Sequence, residues 1–169
     1  SIAATFSDGK LSGTKMPVPD GDSADFAIVL AKEGDGQSLV IVDLSASGVE
    51  CTKLDSLDPT RPQAKLVFND APATRLGAAG AGWTIAQSVL TRAAVMMAFE
   101  QLGGADRAFD ITFDFVMNRY AFGRPIGSFQ SLKHRMADLY ADREIARSNC
   151  YFAAWALEND DEELGVAAA

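Results

Sequence analysis

Arg119-Tyr-Ala-Phe-Gly-Arg-Pro-Ile-Gly-Ser-Phe-Gln130, followed by Lys133-His134-Arg135-Met136-Ala137-Asp138, decides the fold. Phe-Gly-Arg-Pro-Ile-Gly is turn chemistry, and a long helical pattern runs into it while another runs out. Upstream, no Pro interrupts the chain from Trp83 to Arg124, and Val95, Phe99, Leu102, Ala105, Phe109, Phe113, Val116 and Tyr120 keep helical spacing. Downstream, Phe129, Leu132, Met136, Leu139, Arg143, Ala146, Cys150, Ala153 and Leu157 alternate steps of three and four. That is a heptad-like seam, with Arg143 its one charged member. Two long helices folded back on each other at a tight corner follow, each about 45 to 55 Å long at 1.5 Å per residue. Gly103-Gly104 inside the first costs about 2 kcal/mol relative to Ala and predicts a local break or close packing there.

The corner also carries chemistry. An Arg between helices can meet a phosphate with a forked, charge-assisted contact, and a Gln amide can read a ribose or a ring edge. Arg119 and Gln130 are therefore candidate nucleotide-cofactor contacts, with Phe122 and Gly123 shaping the backbone between them. The plainer alternatives are an Arg119 paired with its own helix end, a first-turn polar Gln130, and turn chemistry alone at Phe122 and Gly123.

Residues 1–76 read as β. Phe26-Ala-Ile-Val-Leu-Ala31, Leu39-Val-Ile-Val-Asp-Leu44 and Ala64-Lys-Leu-Val-Phe-Asn69 are short apolar runs, the last alternating with Leu66 and Phe68 on one face. Asp8-Gly9, Ser12-Gly13, Asp20-Gly21 and Asp35-Gly36 mark corners. The expected class is α+β: a small antiparallel β-barrel or sandwich, a flexible joint at Gly77-Ala-Ala-Gly-Ala-Gly82, then a long antiparallel helical hairpin. Such helices outrun a small barrel and leave apolar stripes in water, so they are expected to pack with copies in an oligomeric four-helix bundle.

Bulk properties narrow the function. The chain has 169 residues, 48% of them hydrophobic, and a net charge of −8. A real core is available, and nucleic acid is a poor partner. No apolar run approaches the roughly 20 residues that span a bilayer, and no signal-peptide pattern is read, so the cytosol is the expected compartment. Cys51 and Cys150 are expected as two free buried thiols, with no zinc spacing and no metal site. His134, without a partner cluster, reads as helix surface or oligomer contact. Glu144 and Arg147 read as a helical salt pair, Trp83 and Trp155 as core or interface, and Glu158 to Glu163 as a solvated fraying end.

Arg119, Phe122-Gly123, Pro125-Ile126, Phe129-Gln130, Lys133 to Asp138 and Glu144-Ile-Ala-Arg147 resemble the C-terminal helical region of the acyl-CoA dehydrogenases, flavin enzymes that desaturate acyl-CoA thioesters. Asp8-Gly-Lys-Leu-Ser-Gly-Thr-Lys15, Ala24-Asp25 and Ile28-Val-Leu-Ala31 resemble the same family's middle β-domain. The resemblance implies residues 1–80 as the barrel domain and 81–169 as part of the C-terminal domain. It further implies FAD, contacted by Arg119, Phe122, Gly123 and Gln130 from a neighbouring subunit, and Arg92 beside an acyl-CoA channel. An acceptor like electron-transfer flavoprotein, a homodimer or homotetramer built through the helices, and a role in fatty acid or lipid catabolism come with it.

Three departures temper that implication. The family's N-terminal helical domain, its Thr-x-Pro-x-x-Gly-Ser-Asp-like flavin strand and its last two helices have no counterpart here, so the chain reads as a fragment, inactive alone. A carboxylate base is needed to take a proton next to a thioester. Where a minority of the family places it, before the Arg matching Arg92, this chain has Thr91, so no catalytic residue is assigned. And where the family has Trp-Ile-Thr or Trp-Ile-Ser, this chain reads Lys15-Met-Pro17-Val18-Pro19, and Pro19 offers neither hydroxyl nor N–H. A flavin-dependent monooxygenase or oxidase of the same fold, or a non-catalytic partner subunit, are the alternatives.

Overall fold

The computed structural model describes residues 3–159 and 162–168. The chain divides into two compact units, residues 1–88 and 89–169.

The first unit is a β-barrel. Its strands are β1 (Thr5–Ser7), β2 (Lys10–Pro19), β3 (Phe26–Glu33), β4 (Gly36–Asp43), β5 (Val49–Leu54) and β6 (Gln63–Leu76). They lie in the order β2-β1-β3-β4-β6, and β6 returns to β2, closing the wall; β5 pairs on the outside of β6. The wall is antiparallel with one exception: Thr5 of β1 pairs parallel to Lys32 of β3. Alternation fills the interior. Phe6, Leu11, Val29, Ala31, Val40, Val42, Leu66, Phe68 and Ala71 form one buried cluster, while Lys65 and Asn69 face out.

Local chemistry explains the corners. Asp8 and Gly9 both take positive φ between β1 and β2, and Asp20 does so at the end of β2, as Asp and Gly permit. Ser12-Gly13 is not a corner. Both residues lie inside β2, where Gly13 sits so close to the chain at Ala3 and Ala4 that a Cβ would fall 2.7 Å from the Ala4 Cα. Ser12 instead braces a bend in β6: its hydroxyl donates to Asp70 Oδ1 at 2.8 Å and accepts from the Asp70 N–H at 3.1 Å, with Asp70 at φ 52°. There β6 turns from β5 toward β4. Pro17 is tolerated because the β2–β6 register slips between Lys15 and Val18, a bulge that asks no ladder bond of it. Cys51 is exposed rather than buried, its thiol 3.1 Å from the Gly21 carbonyl. It lies opposite Leu66 on β5, the end strand of the sheet, where the wall leaves its side chain open to solvent.

The second unit holds most of α1 (Gly82–Asn118), the corner, α2 (Gln130–Glu158) and the single turn α3 (Leu164–Ala167). At 37 and 29 residues, the two main helices are about 55 and 44 Å long at 1.5 Å per residue. They run antiparallel. Phe99 meets Tyr151 edge to face, Asp106 binds Arg147, and Phe109 contacts Tyr140. Contacts descend α2 as they climb α1. The Gly103-Gly104 pair causes neither a break nor a close approach: α1 runs through it, and a Cβ on either glycine would meet nothing within 4 Å. The helix absorbs the propensity cost through its long seam on either side.

That seam is only partly covered. Val95, Leu102 and Val116 are buried on α1, and Cys150, Ala153 and Ala156 on α2. Phe113, Phe115, Met117, Leu139, Tyr151 and Trp155 are exposed, and Trp83 is half exposed, so neither Trp is core within this chain. Arg143 has a definite place. It is 14% exposed, lies 3.3 Å from Asp106, and stacks over the rings of Phe109 and Tyr140. Glu144 and Arg147 form the helical pair at 3.5 Å, but the stronger partner of Arg147 is Asp106, with both carboxylate oxygens 2.9 Å from Nη2. Asp106 raises the Arg147 pKa above its ordinary value. Of the acidic run 158–163, residues 160 and 161 lie outside the described residues.

Candidate functional site

The corner between α1 and α2 is a short hairpin. Tyr120–Ala121 (β7) pairs with Arg124–Pro125 (β8), and Phe122 and Gly123 sit between them at φ 53° and 74°. Two consecutive positive φ values define the turn type whose twist suits a two-residue hairpin. Gly123 adopts this freely, whereas a bulky Phe there is a backbone outlier. The payoff is placement: the Phe122 ring is 96% exposed at the tip. The Ile126 N–H donates to the Arg119 carbonyl at 2.8 Å, closing the hairpin base. Gly127 lies against the end of α1, where a Cβ would be 3.0 Å from the Val116 carbonyl oxygen.

From there one 3-10 turn (Ile126–Ser128) leads to Phe129, the N-cap of α2, in extended geometry with no side-chain cap. Gln130 is the first helical residue, and no acid occupies the first turn. The N–H groups at this helix start and its partial positive charge are thus uncancelled. Arg119, Arg124, Lys133 and Arg135 flank it in sequence, with no carboxylate between Asp114 and Asp138. In a chain of net charge −8, this is a local concentration of positive charge. Among the described residues the exposed Arg119 guanidinium has no ion-pair partner. Arg124 lies 4.0 Å above the Phe129 ring, and Phe122 meets the same ring edge to face at 6.2 Å. Two guanidinium groups, an open helix start, an exposed amide and exposed aromatic faces form a donor set suited to a diphosphate joined to a flat ring.

The structure therefore places Arg119, Phe122, Gly123 and Gln130 on one corner. It does not bring Arg92 there. Arg92 is exposed on α1, about 40 Å along the axis from Arg119 at 1.5 Å per residue. Arg124 and Phe129 are corner residues that spacing alone did not single out; the guanidinium beside Phe-Gly was the available signal.

Two of the barrel's concavities bear on a ligand. One, about 940 Å³, is lined by Asp22, Asp25 and Asp43 with Phe26 and Ile41 and has no cation in its wall, so it does not suit an anion. The other, about 290 Å³, is a cleft between β2 and β3 lined by Lys15, Met16, Pro17, Pro19, Ile28 and Leu30. Lys15 Nζ donates to the Leu30 carbonyl at 2.7 Å across it, and burial lowers the Lys15 pKa. Met16 and Ile28, both largely exposed, present apolar side chains to it. Pro17 and Pro19 supply no N–H to this face. No group of acidic, His and Cys side chains among the described residues could hold a metal, and no described helix is long and apolar enough to cross a membrane.

A small closed barrel leading into a long helical hairpin is the architecture of solved flavoproteins and acyl-CoA dehydrogenases. PigA with FAD and proline superposes with a TM-score of 0.92 at 25% identity, covering 98% of this chain and 48% of that one. A variant of the Tcur3481-Tcur3483 steroid ACAD superposes with a TM-score of 0.79 at 33% identity, over 98% of this chain and 44% of that one. In sequence, acyl-CoA dehydrogenase IpdE2 of Mycolicibacterium smegmatis is 39% identical over 131 residues, 78% of this chain and 37% of that protein. The family profile described as acyl-CoA dehydrogenase, C-terminal domain, matches residues 80–169. The chain belongs to the acyl-CoA dehydrogenase family. It spans less than half the length of each of these relatives.

Proposed function

We propose that this chain is the barrel (1–80) and the first helical part (81–169) of an FAD-dependent acyl-CoA dehydrogenase-like oxidoreductase that desaturates an acyl-CoA thioester between its α and β carbons. The observation that carries this reading is the acid-free corner, where Arg119 stands exposed beside the uncapped start of α2. FAD, when bound, would supply the acceptor for a hydride from the substrate's β carbon. Arg119 holds the diphosphate of an FAD seated mainly on a neighbouring subunit, Gln130 and the open helix start add neutral donors, and Phe122 offers its ring face. Phe122 and Gly123 set the backbone that brings these groups together. Arg92 stands apart, beside the acyl-CoA channel. The chain supplies no carboxylate at Thr91, so the proton at the α carbon leaves to a base carried elsewhere, and the isolated chain is inactive. Electrons pass to an acceptor like electron-transfer flavoprotein, in the cytoplasm, from a homodimer or homotetramer joined through the helices. The steroid named for one relative makes a polycyclic acyl-CoA the first substrate to try.

A second reading has an observation of its own. The β2 segment Met16 to Pro19 faces its cleft with apolar side chains and with N–H groups missing at Pro17 and Pro19, so it suits a flavin ring poorly. In that reading the chain is a non-catalytic partner subunit that lends its corner to a flavin held by another protein. The Arg119→Ala change decides whether the corner acts at all. Titration with ADP should show affinity falling roughly 10- to 100-fold, the size of a lost charge-assisted contact. Unchanged ADP affinity overturns the corner assignment. A visible flavin spectrum in the purified protein separates the first reading from the second.

A further inference from the structure

The joint between the last barrel strand and the first helix reads as flexible from its Gly and Ala content, yet it is tied down at an atom-by-atom level. Ser38 on β4 is the one buried polar residue among those described, at 0% exposure. Its hydroxyl donates to Glu33 Oε2 at 2.5 Å and accepts from the Gly80 N–H at 3.1 Å. An ionised carboxylate can only accept, so the Ser38 proton points to Glu33 and leaves its lone pair for the joint. Glu33 Oε1 is in turn held by Arg75 at 2.7 Å. The chain of donors runs from Gly80 through Ser38 to Glu33, with Arg75 fixing the far end, an arrangement in which each bond polarises the next.

Close packing reinforces it. A Cβ on Gly82, the first residue of α1, would lie 2.6 Å from the Ser38 Cα and carbonyl carbon, and one on Gly36 would lie 3.1 Å from the Gly80 Cα. The joint backbone therefore rests directly on β4. The first helical bond, from the Ile85 N–H to the Ala81 carbonyl at 3.1 Å, forms immediately beyond this contact.

We infer that Ser38, Glu33 and Arg75 form a latch that clamps the 77–82 joint onto β4 and fixes where α1 begins. The latch is a conformational device: closed, it defines the first turn of α1; open, that turn frays and the joint becomes a swivel. Ser38 is the bolt, since it alone touches both sides.

The test is amide hydrogen exchange on this chain and its Ser38→Ala variant. Exchange at residues 80–85 should speed up about tenfold, the size of losing the one hydrogen bond that ties the Gly80 N–H to β4, while the core strand amides around Val40, Leu66 and Phe68 keep their rates. Elastase, which cuts after small residues, should nick the variant within 78–81 and spare the parent. If Ser38→Ala does not fold, Glu33→Ala decides, with a smaller acceleration confined to the same residues. Unchanged joint exchange in a folded variant, or acceleration shared equally by the core strands, overturns the latch.

Discussion

Phe122 combines a backbone conformation that bulky residues avoid with a side chain almost wholly in water. Neither state favours folding, because strain at such a position costs on the order of 1–3 kcal/mol and an exposed ring recovers none of it by burial. Replacing it with Gly should therefore raise the thermal midpoint, by roughly 1 kcal/mol of relieved strain, while weakening ADP binding. A variant that gains stability and binds ADP as well as the parent would leave Phe122 with no role at the corner. The place of Arg119 at the corner was legible in the sequence, because one helical pattern ends and another begins on either side of Phe122-Gly123. Asp106 was not. It is one acid among several on α1, and only the fold reveals that Arg143 and Arg147 both converge on it.

At the scale of elements, this convergence makes a prediction for the hairpin. Asp106→Ala removes the carboxylate that two guanidinium groups share, one of them 14% exposed, and leaves them Glu144 and Asp110, so the hairpin should lose about 1–2 kcal/mol, less than a fully buried pair would. Chemical denaturation of the parent and of the Arg147→Ala and double variants, as a thermodynamic cycle, isolates the pair. The barrel offers a pH test. The Ser38 hydroxyl first, then Arg75, holds the Glu33 carboxyl below its ordinary value of 4.5, so the folded state binds fewer protons than the unfolded one. Its stabilisation is complete above pH 4.5 and is lost as pH falls through the depressed folded value. Asp8 and Arg75 are the charged groups sharing its surface concavity. Glu33→Gln should flatten the loss of melting temperature as pH falls below 4.5; an unchanged slope would mean the carboxylate does not matter to folding. The strands at 26–31, 39–44 and 64–69 could be read as short apolar runs between turn signals, the last also by its alternation. β5 escaped notice, since on the outside of β6 its residues are mostly exposed and show no apolar period.

For the whole molecule, the apolar surface on the hairpin sets the expectation. Ile111, Phe113, Phe115 and Met117 are each about half exposed along the last turns of α1, more than a solitary chain leaves uncovered. Sedimentation should find the chain larger than a monomer, and Phe115→Asp should shift it toward the monomer without loss of helical circular dichroism. The sequence made the need for cover plain through the length of the stripes. It could not show the parallel β1–β3 contact, because nothing in Thr5-Phe-Ser7 distinguishes a hairpin partner from a crossover one. The return of β6 to β2 and β4 governs how the barrel is born. A ribosome releases Thr5 first and Leu76 last, yet the wall needs β1 between β2 and β3 and β6 back against β2. The nascent barrel must therefore wait, with the hydrogen-bonding rims of β2 and β4 bare, until the final strand clears the exit tunnel. In that interval the emerging chain is at its most vulnerable to misassociation, and holding factors matter most.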